Sequence, residues 1–263
     1  MDPIRLENHW LTGMATAGGG GRTTRLPGAI AVANPQLAGT TFSFIALRSA
    51  TPDHLADTLE MGSALLAAEG RAPLVCLSPL AGDVPTLTAG LESLGWKQVA
   101  AQVVLIRPLP GPDLPAPRPD VQVGQVEAGD LPAWGETLVE AYEVEPIAGE
   151  AIAAGWTSLA AAHGDDGEAQ FYLARLEGKP AGTGLTWLRA GLAGLYCGAV
   201  LPAVRRRGVE RATLLRRLTD AAAKGAEGAY LQTEVGSPVE QLCRTRLNFA
   251  VSHTRTLWIP RCG

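Results

Sequence analysis

Arginine side chains cluster around a single glycine where an apolar strand pattern gives way to a helical one. The basic residues are Arg205, Arg206, Arg207 and Arg211, and Gly208 stands among them. From Val209 onward the apolar residues recur at helical spacing, so a helix is expected to begin there. Amides at the start of a helix have no partner within it and bind anions, above all phosphate. The sequence therefore predicts a phosphate site built from backbone amides and reinforced by arginine.

This stretch resembles the coenzyme A site of the GNAT acyltransferase superfamily. The family pattern is a strand ending in V-x-P, two further residues, and then R/Q-x-x-G-x-G/A opening a helix. The chain has Val200-Leu201-Pro202, Ala203-Val204 and then residues 205–210, with Glu210 where the family has glycine or alanine. The resemblance runs from Val121 to the C-terminus, about half of the chain. It includes Leu247-Asn248-Phe249, which is similar to the family's L-G-F corner.

The resemblance implies an α/β fold in which helices flank a mixed, mostly antiparallel sheet. Two parallel strands, 192–200 and 229–232, would splay into a V that holds acetyl-CoA as the acyl donor. Backbone groups near Ala199 and Val200 would bond the pantetheine arm and polarise the thioester carbonyl. The amides of 206–211, including those of Val209 and Glu210, would hold the pyrophosphate. Ser237 stands where the family's asparagine contacts the pantetheine arm.

Three residues are candidates for the chemical step. Glu234, at the end of the second splayed strand, is the leading general base, with a solvated loop carboxylate as the alternative. Tyr196 and Cys197 are neighbours on the first splayed strand, so by alternation one of them should face the acceptor cleft. Tyr196 would order a water there, and Cys197 is expected to be a small core residue. Arg244 stands where the family has a tyrosine that protonates the leaving thiolate. Arginine does not release its proton, so it would stabilise the thiolate or form a salt bridge.

The first half of the chain repeats features of the second. Leu94-Gly95-Trp96 and the strand after it match Leu247-Asn248-Phe249 and the last strand. Residues 49–54, which correspond to the arginine turn, contain neither glycine nor arginine. The predicted organisation is therefore two GNAT-like domains. Residues 1–107 form a degenerate copy without a coenzyme A site, 108–120 a proline-rich linker, and 121–263 the acetyltransferase domain.

Composition limits the remaining classes of function. The net charge of −4 argues against non-specific nucleic-acid binding, and four widely spaced cysteines argue against a zinc site. The N-terminus does not resemble a signal peptide, and no apolar run approaches the length of a membrane helix. The expectations are a cytoplasmic protein, no metal, no membrane partner, and a monomer or homodimer.

The sequence favours an N-acetyltransferase that moves an acetyl group from acetyl-CoA directly to a primary amine of a small molecule or peptide. Arg244 and Glu210 motivate an alternative, a non-catalytic relative that binds acyl-CoA and has a regulatory or partner-binding role. A third possibility is a structural protein whose Glu210 blocks the phosphate site.

Overall fold

The computed structural model describes residues 1–16, 20–35, 42–111, 116, 118–143, 154–155 and 168–261. Its helices are α1 (Pro3–Thr16), α2 (Pro52–Ala68), α3 (Val84–Ser93), α4 (Leu131–Tyr142), α5 (Val209–Ala223) and α6 (Pro238–Arg246). Its strands are β1 (Arg22–Leu26), β2 (Ala29–Ala33), β3 (Phe44–Leu47), β4 (Val75–Leu77), β5 (Trp96–Pro108), β6 (Val121–Gln125), β7 (Ala169–Leu176), β8 (Lys179–Arg189), β9 (Leu192–Val200), β10 (Gly228–Glu234) and β11 (Ala250–Pro260). The alanine-rich sequence of 150–162 predicts a further helix, which falls almost entirely outside the described residues.

The chain divides into two compact units. The N-terminal unit comprises Asp2–Leu105, Thr233–Glu240 and Val251–Gly263. The C-terminal unit comprises Met1, Ile106–Gln232 and Gln241–Ala250. These units differ from the contiguous segments 1–107 and 121–263 that the sequence predicts, because the last strand and residues 233–240 group with the first half of the chain.

The sheet of the N-terminal unit has the order β1-β2-β3-β4-β11-β5. The first three strands pair antiparallel, and β3 and β4 then pair in parallel. Strand β11 lies antiparallel to β4, with Thr256 opposite Leu77 and Trp258 opposite Val75. This pairing explains why the C-terminal strand belongs to the N-terminal unit.

A single apolar layer joins α2 and α3 to this sheet. Leu55, Leu59 and Leu66 lie on one face of α2 and are buried against Ile45 of β3 and Trp258 of β11. The sequence Thr51-Pro52 favours a helix start, and α2 does begin at Pro52, although the Thr51 side chain makes no capping hydrogen bond. The helical spacing of the leucines is therefore what positions α2.

A buried charged cluster ties α1 to β11 within the same unit. Glu7 is 2% exposed, and its carboxylate lies 2.7 Å from His253 Nε2 and 3.4 Å from an Arg255 nitrogen. Arg255 also lies over the Trp10 ring, 3.9 Å from its centroid. Burial alone would raise the pKa of Glu7, but the His253 hydrogen bond and the charges of Arg255, His253 and Arg48 together hold that pKa below its ordinary 4.5.

We expect Glu7→Gln to change how the stability of the folded protein depends on pH under acid conditions. A carboxylate whose pKa is depressed by folding stabilises the fold above its ordinary pKa, and this stability is lost as the pH falls through the folded value. The melting-temperature gap between wild type and Glu7→Gln should therefore narrow as the pH drops below about 4.5. Differential scanning calorimetry from neutral to acid pH measures this gap, with Glu60→Gln on the exposed side of α2 as the control. A gap independent of pH would contradict the prediction.

The sheet of the C-terminal unit has the order β10-β9-β8-β7-β6. Strands β6 to β9 pair antiparallel, and β10 joins β9 in parallel. The predicted apolar stripe of α5 is buried at Val209, Ala212, Leu215 and Leu218. Trp134 of α4 is fully buried, lies edge-on to Phe171, and donates to the Gly184 carbonyl at 3.4 Å. Among the described residues, no helix is both long and apolar enough to cross a membrane.

Candidate functional site

The predicted strand–turn–helix is present between β9 and α5. A short 3-10 turn at Pro202–Val204 follows β9, and α5 begins at Val209. Two residues of the turn have left-handed backbone angles, Arg206 with φ 65° and Gly208 with φ 84°. Glycine adopts such angles without steric cost, whereas a residue with a side chain does so at a cost. Gly208 is thus the residue that lets the chain enter α5.

The amides at the start of α5 are available to a ligand. Gly208 at the N-cap supplies no capping side chain. The first bond into the helix runs from the Ala212 amide to the Gly208 carbonyl at 3.0 Å. The preceding amides of Val209 and Glu210 therefore have no acceptor within the helix. A Cβ on Gly208 would lie 3.0 Å from Cδ of the exposed Arg118, so the absence of a side chain keeps the backbone accessible.

The arginines of the turn are held to different degrees. Arg205 donates to the Glu143 carboxylate at 2.7 Å and to the Ala141 carbonyl at 3.1 Å. Arg207 pairs with Glu177 at 2.8 Å. Both ion pairs are exposed, and such pairs are worth about 1 kcal/mol or less, so an anion can replace the carboxylates. In the described part of the chain, Arg206 has no hydrogen bond or ion pair and extends into solvent.

We expect Arg206→Gly to stabilise the protein while weakening anion binding. Glycine removes the cost of the left-handed angle, which should raise the free energy of unfolding by up to about 1 kcal/mol. The same change at exposed Arg216 places glycine inside α5 and should cost about 1 kcal/mol. Urea denaturation of the two variants measures these opposite signs. A loss of stability in Arg206→Gly would contradict the conformational argument.

Strands β9 and β10 separate after a short parallel contact. They pair at three positions only, the last being Tyr230 opposite Gly194. Beyond this point β9 continues to Val200 alongside β8. The predicted V between two splayed parallel strands is therefore present in the C-terminal unit, and the edge of β9 that includes Ala199 and Val200 has no pairing with β10.

The edge of β9 is bulged at Cys197, a feature the sequence analysis did not predict. The register with β8 shifts by one residue between the pairs Leu185–Tyr196 and Thr183–Ala199. Cys197 has φ 50°, and its carbonyl accepts from Thr183 Oγ1 at 2.9 Å. The bulge breaks the simple alternation used for Tyr196 and Cys197. Burial raises the pKa of the Cys197 thiol, as expected for a core cysteine.

The Tyr196 hydroxyl is engaged within the V. Tyr196 is 8% exposed, and its hydroxyl shares a hydrogen bond with the hydroxyl of Tyr230 on β10. Its ring lies over Gly194, where a Cβ would come within 2.6 Å of the ring. The glycine thus makes room for the ring, and the tyrosine pair occupies the point where the strands part. The proposed role of Tyr196 in ordering a water stays a prediction.

Solved structures supply an independent comparison. The chain is similar to a GCN5-related N-acetyltransferase from Kribbella flavida, at 18% identity over 98% of this chain and 95% of that chain, with a TM-score of 0.73. It is also similar to a GCN5-related N-acetyltransferase from Sphaerobacter thermophilus, at 19% identity over 88% and 79%, with a TM-score of 0.67. The chain has the GNAT fold. The predicted fold class, a mixed sheet flanked by helices, is thereby confirmed.

A tandem GNAT protein from the clavulanic acid biosynthesis pathway aligns over 98% of this chain and 95% of its own, at 13% identity and a TM-score of 0.58. No protein-family model matches the sequence, and no curated protein matches it either. At these identities the comparisons establish the GNAT fold. The activity has to be argued from the residues of the site.

Two predicted GNAT site residues lie in the N-terminal unit, because residues 233–240 group there. Glu234 is the exposed last residue of β10. Ser237 Oγ accepts from the Glu240 amide at 3.2 Å, and the Glu240 carboxylate accepts from the Gly236 amide at 2.7 Å. This arrangement resembles a capping box for α6, but the Glu240 carboxylate reaches the Gly236 amide, whereas the Ser237 amide bonds to the Glu234 carbonyl. Ser237 thus stabilises the start of α6, and its contact with pantetheine stays a prediction.

Arg244 lies on α6 in the C-terminal unit and is exposed. Sequence reasoning found its position from the spacing to Leu247-Asn248-Phe249. The structure confirms the corner itself, since the Phe249 amide bonds to the Cys243 carbonyl at 3.0 Å and Asn248 has φ 54°. The role of Arg244 in the GNAT site stays a prediction.

Proposed function

We propose that the C-terminal unit binds acetyl-CoA and transfers its acetyl group to a primary amine of a small molecule or peptide. The observation that carries this proposal is the continuity of three features in one stretch of GNAT fold. These are the unpaired edge of β9, the turn with left-handed Arg206 and Gly208, and the uncapped start of α5.

The residues present fit the donor. The amides of Val209 and Glu210, with the Arg206 side chain, would hold the diphosphate through charge-assisted hydrogen bonds. The edge of β9 at Ala199 and Val200, which does not pair with β10, would bond the pantetheine arm. Acetyl-CoA supplies the activated acyl group as a thioester. The protein contributes orientation of the acceptor nitrogen and stabilisation of charge on the carbonyl oxygen, which together account for much of the rate gain in such reactions.

The N-terminal unit is proposed to lack a donor site of its own. Its parallel strands β3 and β4 correspond in order to β9 and β10, but α2 begins with Pro52, which has no amide proton to donate. Asp53 adds a negative charge to the first turn of α2, which disfavours an anion. This contrast supports the view that the chain carries one functional and one degenerate GNAT-like copy.

Arg244 is the observation that favours a second candidate, a non-catalytic acyl-CoA-binding protein with a regulatory or partner-binding role. An exposed arginine replaces the tyrosine that the GNAT resemblance places on α6. Under this alternative, acetyl-CoA binds but no amine is acetylated.

The deciding experiment combines binding with turnover. Isothermal titration with coenzyme A tests the donor site, and coenzyme A release from acetyl-CoA, followed with a thiol reagent, tests transfer to a panel of small amines and peptide N-termini. Tight binding with acceptor-dependent release supports the acetyltransferase. Tight binding without release supports the non-catalytic alternative. Absence of binding overturns both.

A further inference from the structure

The Glu210 side chain is a carboxylate without a hydrogen-bond partner among the described residues. It reaches from the first turn of α5 to Gly198, the residue that follows the bulge on β9. Its two oxygens lie 3.1 and 3.8 Å from the point where a Cβ on Gly198 would be. Gly198 itself is exposed and lies on the part of β9 that has no pairing with β10. The missing side chain at 198 is therefore what accommodates the carboxylate.

The titratable and charged groups that interact with Glu210 come from three helices. Arg217 lies on the same helix, Tyr142 ends α4, and Cys243 lies on α6, while Cys197 at the bulge interacts with Arg217. Of these, Arg217 is the positively charged one. Burial raises the pKa of Glu210, and the Arg217 charge limits that rise.

The guanidinium of Arg217 donates its hydrogen bonds to groups other than Glu210. It donates to the Tyr196 carbonyl at 3.0 Å, to Thr186 Oγ1 at 3.2 Å and to the Leu185 carbonyl. Arg217 thus compensates the charge of Glu210 while leaving both carboxylate oxygens available. A carboxyl group poised in this way suits the exchange of a proton with a reacting group.

We propose that Glu210 is a catalytic residue that carries the proton from the attacking amine to the leaving sulfur. This inference rests on the proposed acetyl transfer. The nitrogen of the neutral amine attacks the thioester carbonyl carbon, so that a C–N bond forms and the C–S bond breaks. The proton lost by nitrogen passes to the Glu210 carboxylate and from there to the departing sulfur. Glu210 ends the cycle as it began, and no further acid or base is required.

This role accounts for two departures from the GNAT pattern together. Glutamate replaces a small residue at 210, and arginine replaces a tyrosine acid at 244. Arginine cannot supply the proton to sulfur, whereas a carboxyl group that has just accepted one can. A carboxylate at position 210 would repel a diphosphate unless its side chain turned toward Arg206 or Arg211. The structure turns it toward Gly198 instead, while its amide stays in the first turn of α5.

The first test measures protons rather than turnover. A bound pantetheine arm withdraws Glu210 from water and raises its pKa further, so acetyl-CoA binding should take up protons from solution. Isothermal titration in two buffers of different ionisation enthalpy gives the number taken up at mildly acid pH. We expect uptake in wild type and in Glu136→Gln, an exposed carboxylate of α4, and none in Glu210→Gln.

The second test uses the amine panel described above. Glu210→Gln should lower kcat by about 100-fold, with little change in acetyl-CoA affinity, and should remove the acid limb of the pH–rate profile. Glu210→Asp should restore part of the rate, and Glu136→Gln should keep the acid limb. Unchanged proton uptake and an unchanged pH profile in Glu210→Gln overturn this inference alone. Failure of wild type to bind acetyl-CoA overturns it together with the proposed function.

Discussion

Substituting valine for Gly208 is expected to weaken coenzyme A binding strongly while leaving the protein folded. Gly208 has φ 84°, an angle that a β-branched residue adopts only at a cost of about 1–2 kcal/mol. The added side chain would also cover the amides at the start of α5 and meet Arg118 Cδ at 3.0 Å. Both effects displace the backbone from the position in which it can bond a diphosphate. We expect at least a tenfold loss of affinity by isothermal titration.

The chain offers a matched control at the other end of the same helix. Gly225 has φ 80°, and a Cβ there would meet nothing within 4 Å. Gly225→Val should therefore carry a similar conformational cost in urea denaturation but retain wild-type affinity for coenzyme A. Equal affinities in the two variants would show that the start of α5 does not form the donor site. Unfolding of Gly208→Val but not of Gly225→Val would instead assign Gly208 a mainly structural role.

The parts of the site that follow from local chain chemistry were predictable. The strand end at Val200, the glycine at 208 and the apolar stripe of α5 are encoded in consecutive residues, and each is present in the structure. The splay of β9 from β10 followed from the resemblance to a known family rather than from composition. Where a single segment determines the geometry, periodicity and glycine placement suffice.

The features that were missed depend on contacts between distant segments. The bulge at Cys197 arises from its register with β8, and a strand sequence alone does not specify which residue is left unpaired. The direction of Glu210 depends on the absence of a side chain at Gly198, twelve positions earlier. Glycine in the middle of strand 192–200 was the available signal. The pairing of β11 with β4 could not be predicted, because the residue pattern of a strand does not specify which other strand it pairs with.

Arg217 is expected to be the residue of the C-terminal unit whose loss costs the most stability. It is 1% exposed, and its guanidinium bonds to two backbone carbonyls and to Thr186 Oγ1 beneath β8 and β9. Its burial lowers its own pKa, while the nearby Glu210 carboxylate acts in the opposite direction. Arg217→Met keeps the length of the side chain but leaves those carbonyls unpaired and the Glu210 charge uncompensated. We expect a loss of about 3–5 kcal/mol in the free energy of unfolding.

Arg216, the adjacent residue, is the control that separates the effect of losing a buried guanidinium from the effect of losing one positive charge. Arg216 is exposed and pairs with Asp220 one turn later at 2.9 Å. Arg216→Met removes the same charge from the same helix, and a surface pair of this kind is worth about 1 kcal/mol or less. In urea denaturation, Arg217→Met should therefore lower the free energy of unfolding by at least about 2 kcal/mol more than Arg216→Met does, which is the difference between the two expected losses. If Arg217→Met unfolds as late as Arg216→Met, the guanidinium does not hold β8, β9 and Glu210 in place, and the proton-carrying arrangement at Gly198 would lose its support.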